Sequence, residues 1–379
     1  MRILLLTFLL IASFTSNAQT QIALTPKQIE LLDVIATQDV PKNAPGIATA
    51  IIQDGKVIYE KYAGFADLKD STLIKKSTRF NIASNGKQFT ALAILTLMDK
   101  RKLKLSDDIR KWFPKLYPNV KEKITIQNLL NHTSGIRDCY DLWSLQGYTW
   151  WKKSFNNSDV LNLIEKQSDL NFKPDTKYLY SNTNYILLAL LVEKVTKKTF
   201  VEYTIEMFRQ LNMPNTSFES DYTKITGQIA RAYFNFDTWT TYNWIWNVVG
   251  DGNIFSTLED QIQWEKLVQG KGNSVFAIKI IAQSQKLIEG SKFSNYGYGL
   301  EFGKYKDLSY RFHEGATGAW KATAIRFHQN NIAIVTLTNT GKAIPYNQTR
   351  QMAIAIHKAL HKPLPKASDW TCLAVLVFT

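Results

Sequence analysis

The sequence predicts an α+β protein: one antiparallel sheet assembled from the N- and C-terminal segments, helices flanking it, and a helical subdomain inserted at about residues 109–248. Three observations predict it. Near the start, β-branched runs from Gly46 to Gly64 flank Asp54-Gly55, a dipeptide suited to a two-residue hairpin turn with positive φ. Near the end, strand-like segments return and surround the polar turn Gln329-Asn330-Asn331. Between them the chain is aromatic and helix-rich, with helical apolar spacing at Ile124 to Leu130 and at Tyr185 to Val195.

Taken in order, Met1 to Ala18 reads as an export leader. Arg2 precedes the apolar run Ile3 to Phe14, and Ser16-Asn17-Ala18 supplies the small residues of a cleavage site. Cleavage there leaves Gln19 at the start of a periplasmic or secreted protein. No cysteine follows the apolar run, which argues against a lipoprotein. The body is expected to span residues 19–362. It opens with a helix near Pro26 to Thr37 and the hairpin, then a run from Gln88 to Met98 that is apolar almost all round, the pattern of a helix inside a large core. The returning strands are Tyr296 to Gly303, an edge strand at Tyr310 to His313, Ala322 to Phe327 and Ile332 to Asn339. A last helix, about Thr349 to Leu360, precedes Pro363 and Pro365. The tail, 363–379, ends in the apolar stretch Trp370 to Thr379, which reads equally as a packed strand or an aberrant terminus and is too short to span a membrane.

At 379 residues, with 45% of them hydrophobic, the chain can bury a substantial core. Its net charge of +14 suits anionic partners such as envelope polymers. The lysines are scattered, so nucleic acid is a poor partner, and a solvated basic surface is the plainer reading. Cys139 and Cys372 are expected to be free thiols. They show no metal-site spacing, and the His357/His361 pair lacks a third ligand nearby, so no metal and no cofactor is expected.

The chemistry centres on Ser84-Asn85-Gly86-Lys87, just ahead of the apolar helical run. Positions i and i+3 of a helix share a face, so the Lys87 amine can rise beside the Ser84 hydroxyl. Serving as a base near neutrality requires bringing an amine pKa of about 10.4 down by roughly 3, about 4 kcal/mol of environment. Chance supplies roughly one Ser-x-x-Lys string in a chain of this size, so context decides its worth. Two further segments offer the rest of a nucleophilic site. Tyr180-Ser181-Asn182 opens the second apolar helix with a phenol and an amide. His313-Glu314-Gly315 closes a predicted strand with an imidazole and a residue that allows close backbone approach.

In that order the three segments resemble the motifs of the penicillin-recognising serine hydrolases: class C β-lactamases, D-alanyl-D-alanine carboxypeptidases and related esterases. Asn131-His132-Thr133-Ser134-Gly135-Ile136 and Gly250 to Thr257 resemble further segments of that family, and the likeness runs from about Pro45 to His361. It implies a β-lactamase/transpeptidase-like fold. Carried over, it makes Ser84 the nucleophile, Lys87 its base or the group that tunes its pKa, Tyr180 the proton shuttle to the leaving group and Asn182 the residue that orients the substrate amide. Gly315 would let the strand approach, and the backbone N–H groups of Ser84 and Ala316 would form an oxyanion hole. His313 stands where class C β-lactamases carry lysine. A histidine near pKa 6.5 is only partly charged, so it grips a substrate carboxylate less firmly. Strand alternation turns Glu314 away from the cleft.

The resemblance therefore implies an exported serine hydrolase on a D-amino-acid peptide, ester or β-lactam, with a carboxypeptidase or peptidase first, an esterase second and a weak β-lactamase third. A penicillin-binding or peptidoglycan-sensing module with little turnover is the alternative of another class. Plainer roles stay open. Tyr180 and Asn182 can form a turn and a helix cap, His313 can be structural, and His132 can shape a turn. The aromatic stretches Trp143 to Trp151 and Trp239 to Trp246 suit a cleft wall and a core equally well. No Gly-x-Ser-x-Gly elbow, P-loop or Gly-x-Gly-x-x-Gly string occurs, which disfavours an α/β-hydrolase or a nucleotide fold.

Overall fold

A computed structural model describes residues 23–359, apart from residues 150, 237, 306 and 307. The expected leader, the tail, Cys372 and His361 lie outside the described residues.

Seven strands form the main sheet, every neighbouring pair antiparallel. From one edge they run Tyr296–Gly297, Leu300–Tyr305, Leu308–Thr317, Trp320–Phe327, Ile332–Thr338, Ile47–Gln53 and Lys56–Ala63. The chain ends meet where Ile47 pairs with Thr338 and Gln53 with Ile332, as the sequence predicted. Ile47–Gln53 is buried at every position because helices cover both faces of the sheet, which explains its unbroken apolar run. At the hairpin, Asp54 (φ 48°) and Gly55 (φ 77°) both take the left-handed values that a tight two-residue turn needs.

On one face Leu32 and Ile35 of the helix Pro26–Thr37, with Met352 and Ile356 of the helix Pro345–Ala359, pack on Ile51, Ile325 and Ile334. On the other face Ala48, Ala50, Ala322 and Ala324 join the main core, where the helix Leu258–Val268 packs on Ile47–Gln53 and Ile332–Thr338 and is followed inward by the helix Lys87–Asp99. That helix and Asn182–Thr196 are buried almost all round, as their sequences require. Thr125, Asn156 and Thr199 each close a capping box and so fix where three helices of the middle region begin.

Two expectations need adjusting. The inserted helices stop at Gln210, and residues 217–257 return as short strands, among them Ser217–Phe218 and Ile254–Thr257 in a small sheet with Arg79–Asn81. The strand that carries His313 is longer than Tyr310 to His313 and is not an edge: Leu308–Thr317 pairs on both sides through Phe312. Past Phe312 the neighbouring strand has ended, so residues 313–317 keep one partner and offer an open side. A single sequence does not reveal which strands end early, because pairing is a tertiary property.

Candidate active site

The chain enters the site along Arg79–Asn81. Arg79 is held by Glu219 (2.9 Å), the Ser217 hydroxyl (2.6 Å) and the carbonyls of Thr226 (2.7 Å) and Asn215 (3.1 Å). The Asn81 side chain accepts the Ala83 N–H at 2.9 Å, and Ala83 takes φ 47°, a conformation that a side-chain-bearing residue adopts at a cost. A 3-10 turn, Ala83–Gly86, then leads into the helix Lys87–Asp99. Ser84 therefore precedes the α-helix instead of opening it, but a 3-10 turn also brings i and i+3 side chains together.

Ser84 is partly exposed, and Lys87 is fully buried. Lys87 Nζ lies 2.9 Å from Ser84 Oγ, 2.9 Å from Asn182 Oδ1 and 2.7 Å from the Asp251 carbonyl oxygen. Two of these three partners can only accept. A neutral amine has two N–H bonds and one lone pair, so donating to both carbonyl oxygens leaves the lone pair directed at the Ser84 hydroxyl. Burial lowers the lysine pKa to about 8, against the charges of Asp251 and Asp138, which favour the ammonium.

The Tyr180 ring sits over this amine, 4.9 Å from Nζ to the ring centre. Burial pushes its phenol well above 10, opposed by a hydrogen bond with Ser84. Asn182 begins the helix Asn182–Thr196. Asp138 Oδ2 accepts both its backbone N–H (2.5 Å) and its side-chain N–H (3.0 Å). His132 supports the same segment from beneath. Its Nδ1 accepts the Ser181 N–H (3.2 Å) and the Asn184 amide (3.1 Å), and its ring lies 4.3 Å from that of Tyr180. Ser134 donates to Asn184 Oδ1 (2.7 Å), which turns the amide nitrogen toward His132 and leaves the imidazole proton on Nε2. That Nε2 is buried without a partner. His132 thus shapes the turn, in line with its plainer reading.

His313 is the clearest departure from expectation. Its Nδ1 is 2.5 Å from the Glu314 carbonyl oxygen, which can only accept, so Nδ1 bears the proton and Nε2 takes the Tyr296 O–H at 2.9 Å. Burial, then the positive charge of Lys87, lowers its pKa to about 3. The ring is neutral near pH 7, not partly charged, because it is enclosed. Its carbonyl accepts the Asn85 side-chain N–H at 3.0 Å, tying the strand to the Ser84 turn. Next to it, a Cβ on Gly315 would lie 2.1 Å from the Ile82 carbonyl oxygen, so only glycine permits this approach. Glu314 is exposed between the buried His313 and Gly315, and Ala316 is exposed beyond them.

Ser84, Lys87, Tyr180 and Asn182 thus converge, and His313 and Gly315 lie against the Ser84 turn. Unforeseen from the sequence were Asp138, half-buried, and Asp251, buried, whose charges both bear on Lys87, and Tyr296. Asp251 lay in a segment already singled out but without a role. Its carboxylate accepts the Tyr140 O–H (2.7 Å) through Oδ2, while Oδ1 has no partner. Of the aromatic stretches, Trp143 and Trp246 are core: Trp143 stacks on Phe155 at 3.9 Å, and Trp246 packs on Tyr140 at 5.5 Å. Cys139 is buried and in no disulfide. Among the described residues no group of histidine, cysteine, aspartate or glutamate is arranged to hold a metal ion.

Comparison with known proteins identifies the family and the fold. The family model described as Beta-lactamase matches residues 33–359. "Protein flp" of Staphylococcus aureus (strain MRSA252) is 36% identical over 206 residues, covering 53% of this chain and 40% of that protein. The "D-aminopeptidase" of Brucella anthropi is 26% identical over 302 residues, covering 78% of this chain and 56% of that one. The chain therefore spans about half the length of these relatives, or less. Among solved structures, an octameric penicillin-binding protein homologue from Pyrococcus abyssi superposes with a TM-score of 0.75 at 22% identity, over 88% of this chain and 78% of that one. The D-amino acid amidase from Ochrobactrum anthropi SV3 gives 0.70 at 20% identity, over 88% and 99%. These structures share the β-lactamase/transpeptidase-like fold, and on the extent of the family match the chain belongs to the Beta-lactamase family.

Proposed function

We propose that this protein hydrolyses amide or ester bonds through an acyl-enzyme on Ser84. The observation that carries the reading is the trio of partners around Lys87 Nζ, which aims a lone pair at the Ser84 hydroxyl. In the proposed reaction Lys87 takes the Ser84 proton as Oγ bonds to the acyl carbon. The N–H groups of Ser84 and Ala316 hold the resulting oxyanion. As the tetrahedral species collapses, the bond to the leaving group breaks, and Tyr180 passes it the proton taken up by Lys87. Water then repeats the sequence on the ester, releasing the acid and restoring Ser84. Asn182 holds the substrate amide with its second side-chain N–H.

The substrate class we favour is a peptide or amide with a D-amino acid on the acyl side. The similarity to a D-aminopeptidase and a D-amino acid amidase supports this, as does the neutral, enclosed His313. A carboxypeptidase must grip a terminal carboxylate, and an uncharged imidazole already bonded to Tyr296 and Glu314 offers it no charge. Esters come second, and β-lactam turnover third. We also place the protein outside the cytoplasm, on the strength of Met1 to Ala18, with its basic surface favouring contact with anionic envelope polymers. Sequencing the N-terminus of secreted material should begin at Gln19.

Turnover of a D-alanine nitroanilide, a short-chain nitrophenyl ester and a chromogenic cephalosporin tests the ranking. Measurable rates in that descending order, abolished in Ser84→Ala, are expected. Hydrolysis that persists in Ser84→Ala would count against the reading, and stoichiometric acylation without turnover would favour the binding module.

A further inference from the structure

Behind the residues that face the substrate lies a carboxylate that the proposed mechanism does not use. Asp138 is one residue ahead of the helix Cys139–Leu145, and its Oδ1 accepts the Tyr140 N–H at 2.8 Å, an N-cap. Its other oxygen reaches away from that helix to Asn182, taking the backbone N–H and a side-chain N–H together. One carboxylate therefore joins the start of two helices. The consequence for the site is orientational. An amide can turn over, exchanging oxygen and nitrogen; with its nitrogen bound to Asp138, Asn182 presents its oxygen to Lys87 Nζ at 2.9 Å. Were the amide reversed, an N–H would face the lysine, and the amine would have to use its lone pair there instead of on Ser84.

We propose that Asp138 is a positioning residue for Ser84 acylation, acting through the Asn182 amide to keep the Lys87 lone pair on the serine. This rests on the functional reading above and names a residue that the three motifs leave out. The charge of Asp138 has a second effect on Lys87. Burial raises the Asp138 pKa to about 6, so it is ionised where the enzyme would work, and its charge favours the lysine ammonium. The other ionisable groups bearing on Lys87 are Asp251, Cys139, His132 and His313, with the rings of Tyr180 and Tyr185 near the amine. Replacing Asp138 with a neutral residue leaves all of these in place and removes one anion.

Asp138→Asn is the decisive variant. Asparagine caps a helix as well as aspartate does, so the Cys139–Leu145 start is retained, while its amide nitrogen meets the two Asn182 donors with a donor. The test measures Ser84 acylation by p-nitrophenyl acetate, as a single-turnover rate across pH 5 to 10, in wild type, Asp138→Asn, Asn182→Ala and the double variant. The expected result is a fall of about 10- to 100-fold on the alkaline plateau for Asp138→Asn. Its acid limb should move to lower pH, since loss of an anion disfavours the ammonium. In the Asn182→Ala background the plateau should fall by less than about twofold more, because the route through the amide is already gone. Asp138→Ser, which caps but is too short to reach Asn182, should match Asp138→Asn if thermal melting shows both to be folded. A plateau within twofold of wild type, or losses that multiply in the double variant, overturns the proposal. A wild type that is never acylated at Ser84 overturns the functional reading and this proposal with it, whereas an acylated wild type indifferent to Asp138 overturns the proposal alone.

Discussion

Among single residues, the chemistry turns on an amine that has lost its usual basicity without losing its hydrogen bonds. Burial lowers Lys87 to about pKa 8 while three oxygens surround its nitrogen. A base must be unprotonated, so kcat/KM should fall about tenfold per pH unit below pH 8 and level off above it. A pH–rate profile checks this, and Lys87→Met should remove about 100- to 10,000-fold of the rate on the alkaline plateau, with the loss shrinking toward acid pH as Lys87 of the wild type is protonated. His313 makes the contrasting case. Because its Nε2 accepts the Tyr296 hydroxyl, Tyr296→Phe strips a buried acceptor of its partner and should cost about 1–3 kcal/mol in chemical denaturation. The residues with an unusual chemical type, Ser84, Lys87, Tyr180 and His313, were legible in the sequence. Asp138 and Asp251 were not, since a carboxylate in a loop reads as a solvated charge until the fold encloses it.

At the scale of elements, the site depends on how closely a strand end and a helix start approach each other. Gly315 carries that contact. A methyl group there would fall 2.1 Å from the Ile82 carbonyl oxygen, so Gly315→Ala should push the His313 strand from the Ser84 turn and cost about 100-fold in kcat/KM. A steady-state assay with p-nitrophenyl acetate, beside a melting curve that stays close to wild type, would register it. The elements themselves were well foreseen where local chemistry specifies them. The helix Pro26–Thr37 and the Asp54-Gly55 turn follow from a capping box with proline at N1 and from a dipeptide tolerant of positive φ. The strand carrying His313 was misjudged because its second partner, Leu300–Tyr305, is a tertiary fact. The short strands after Gln210 carry too few residues to show a period.

Across the whole molecule, the main sheet, the helix Leu258–Val268 and the helix Lys87–Asp99 meet around an ion pair in the core. Arg326 of the strand Trp320–Phe327 meets Glu265 of the helix Leu258–Val268 through two contacts of 2.7 Å, both side chains almost fully enclosed. Arg326 also donates to Gln88 Oε1 (2.9 Å), which takes the Trp264 indole N–H as well (2.7 Å). Gln88 in turn donates to the Asn85 carbonyl (3.0 Å), one residue past Ser84. Removing one member leaves an uncompensated buried charge, so Glu265→Ala should destabilise the fold by about 3–5 kcal/mol, read by urea denaturation. That the turn presents a nucleophile is decided by mass spectrometry with peptide mapping after brief exposure to p-nitrophenyl acetate or benzylpenicillin. The predicted result is a single acyl adduct on Ser84, absent in Ser84→Ala and slowed in Lys87→Met; no adduct from either donor, or an adduct on another residue, would contradict it.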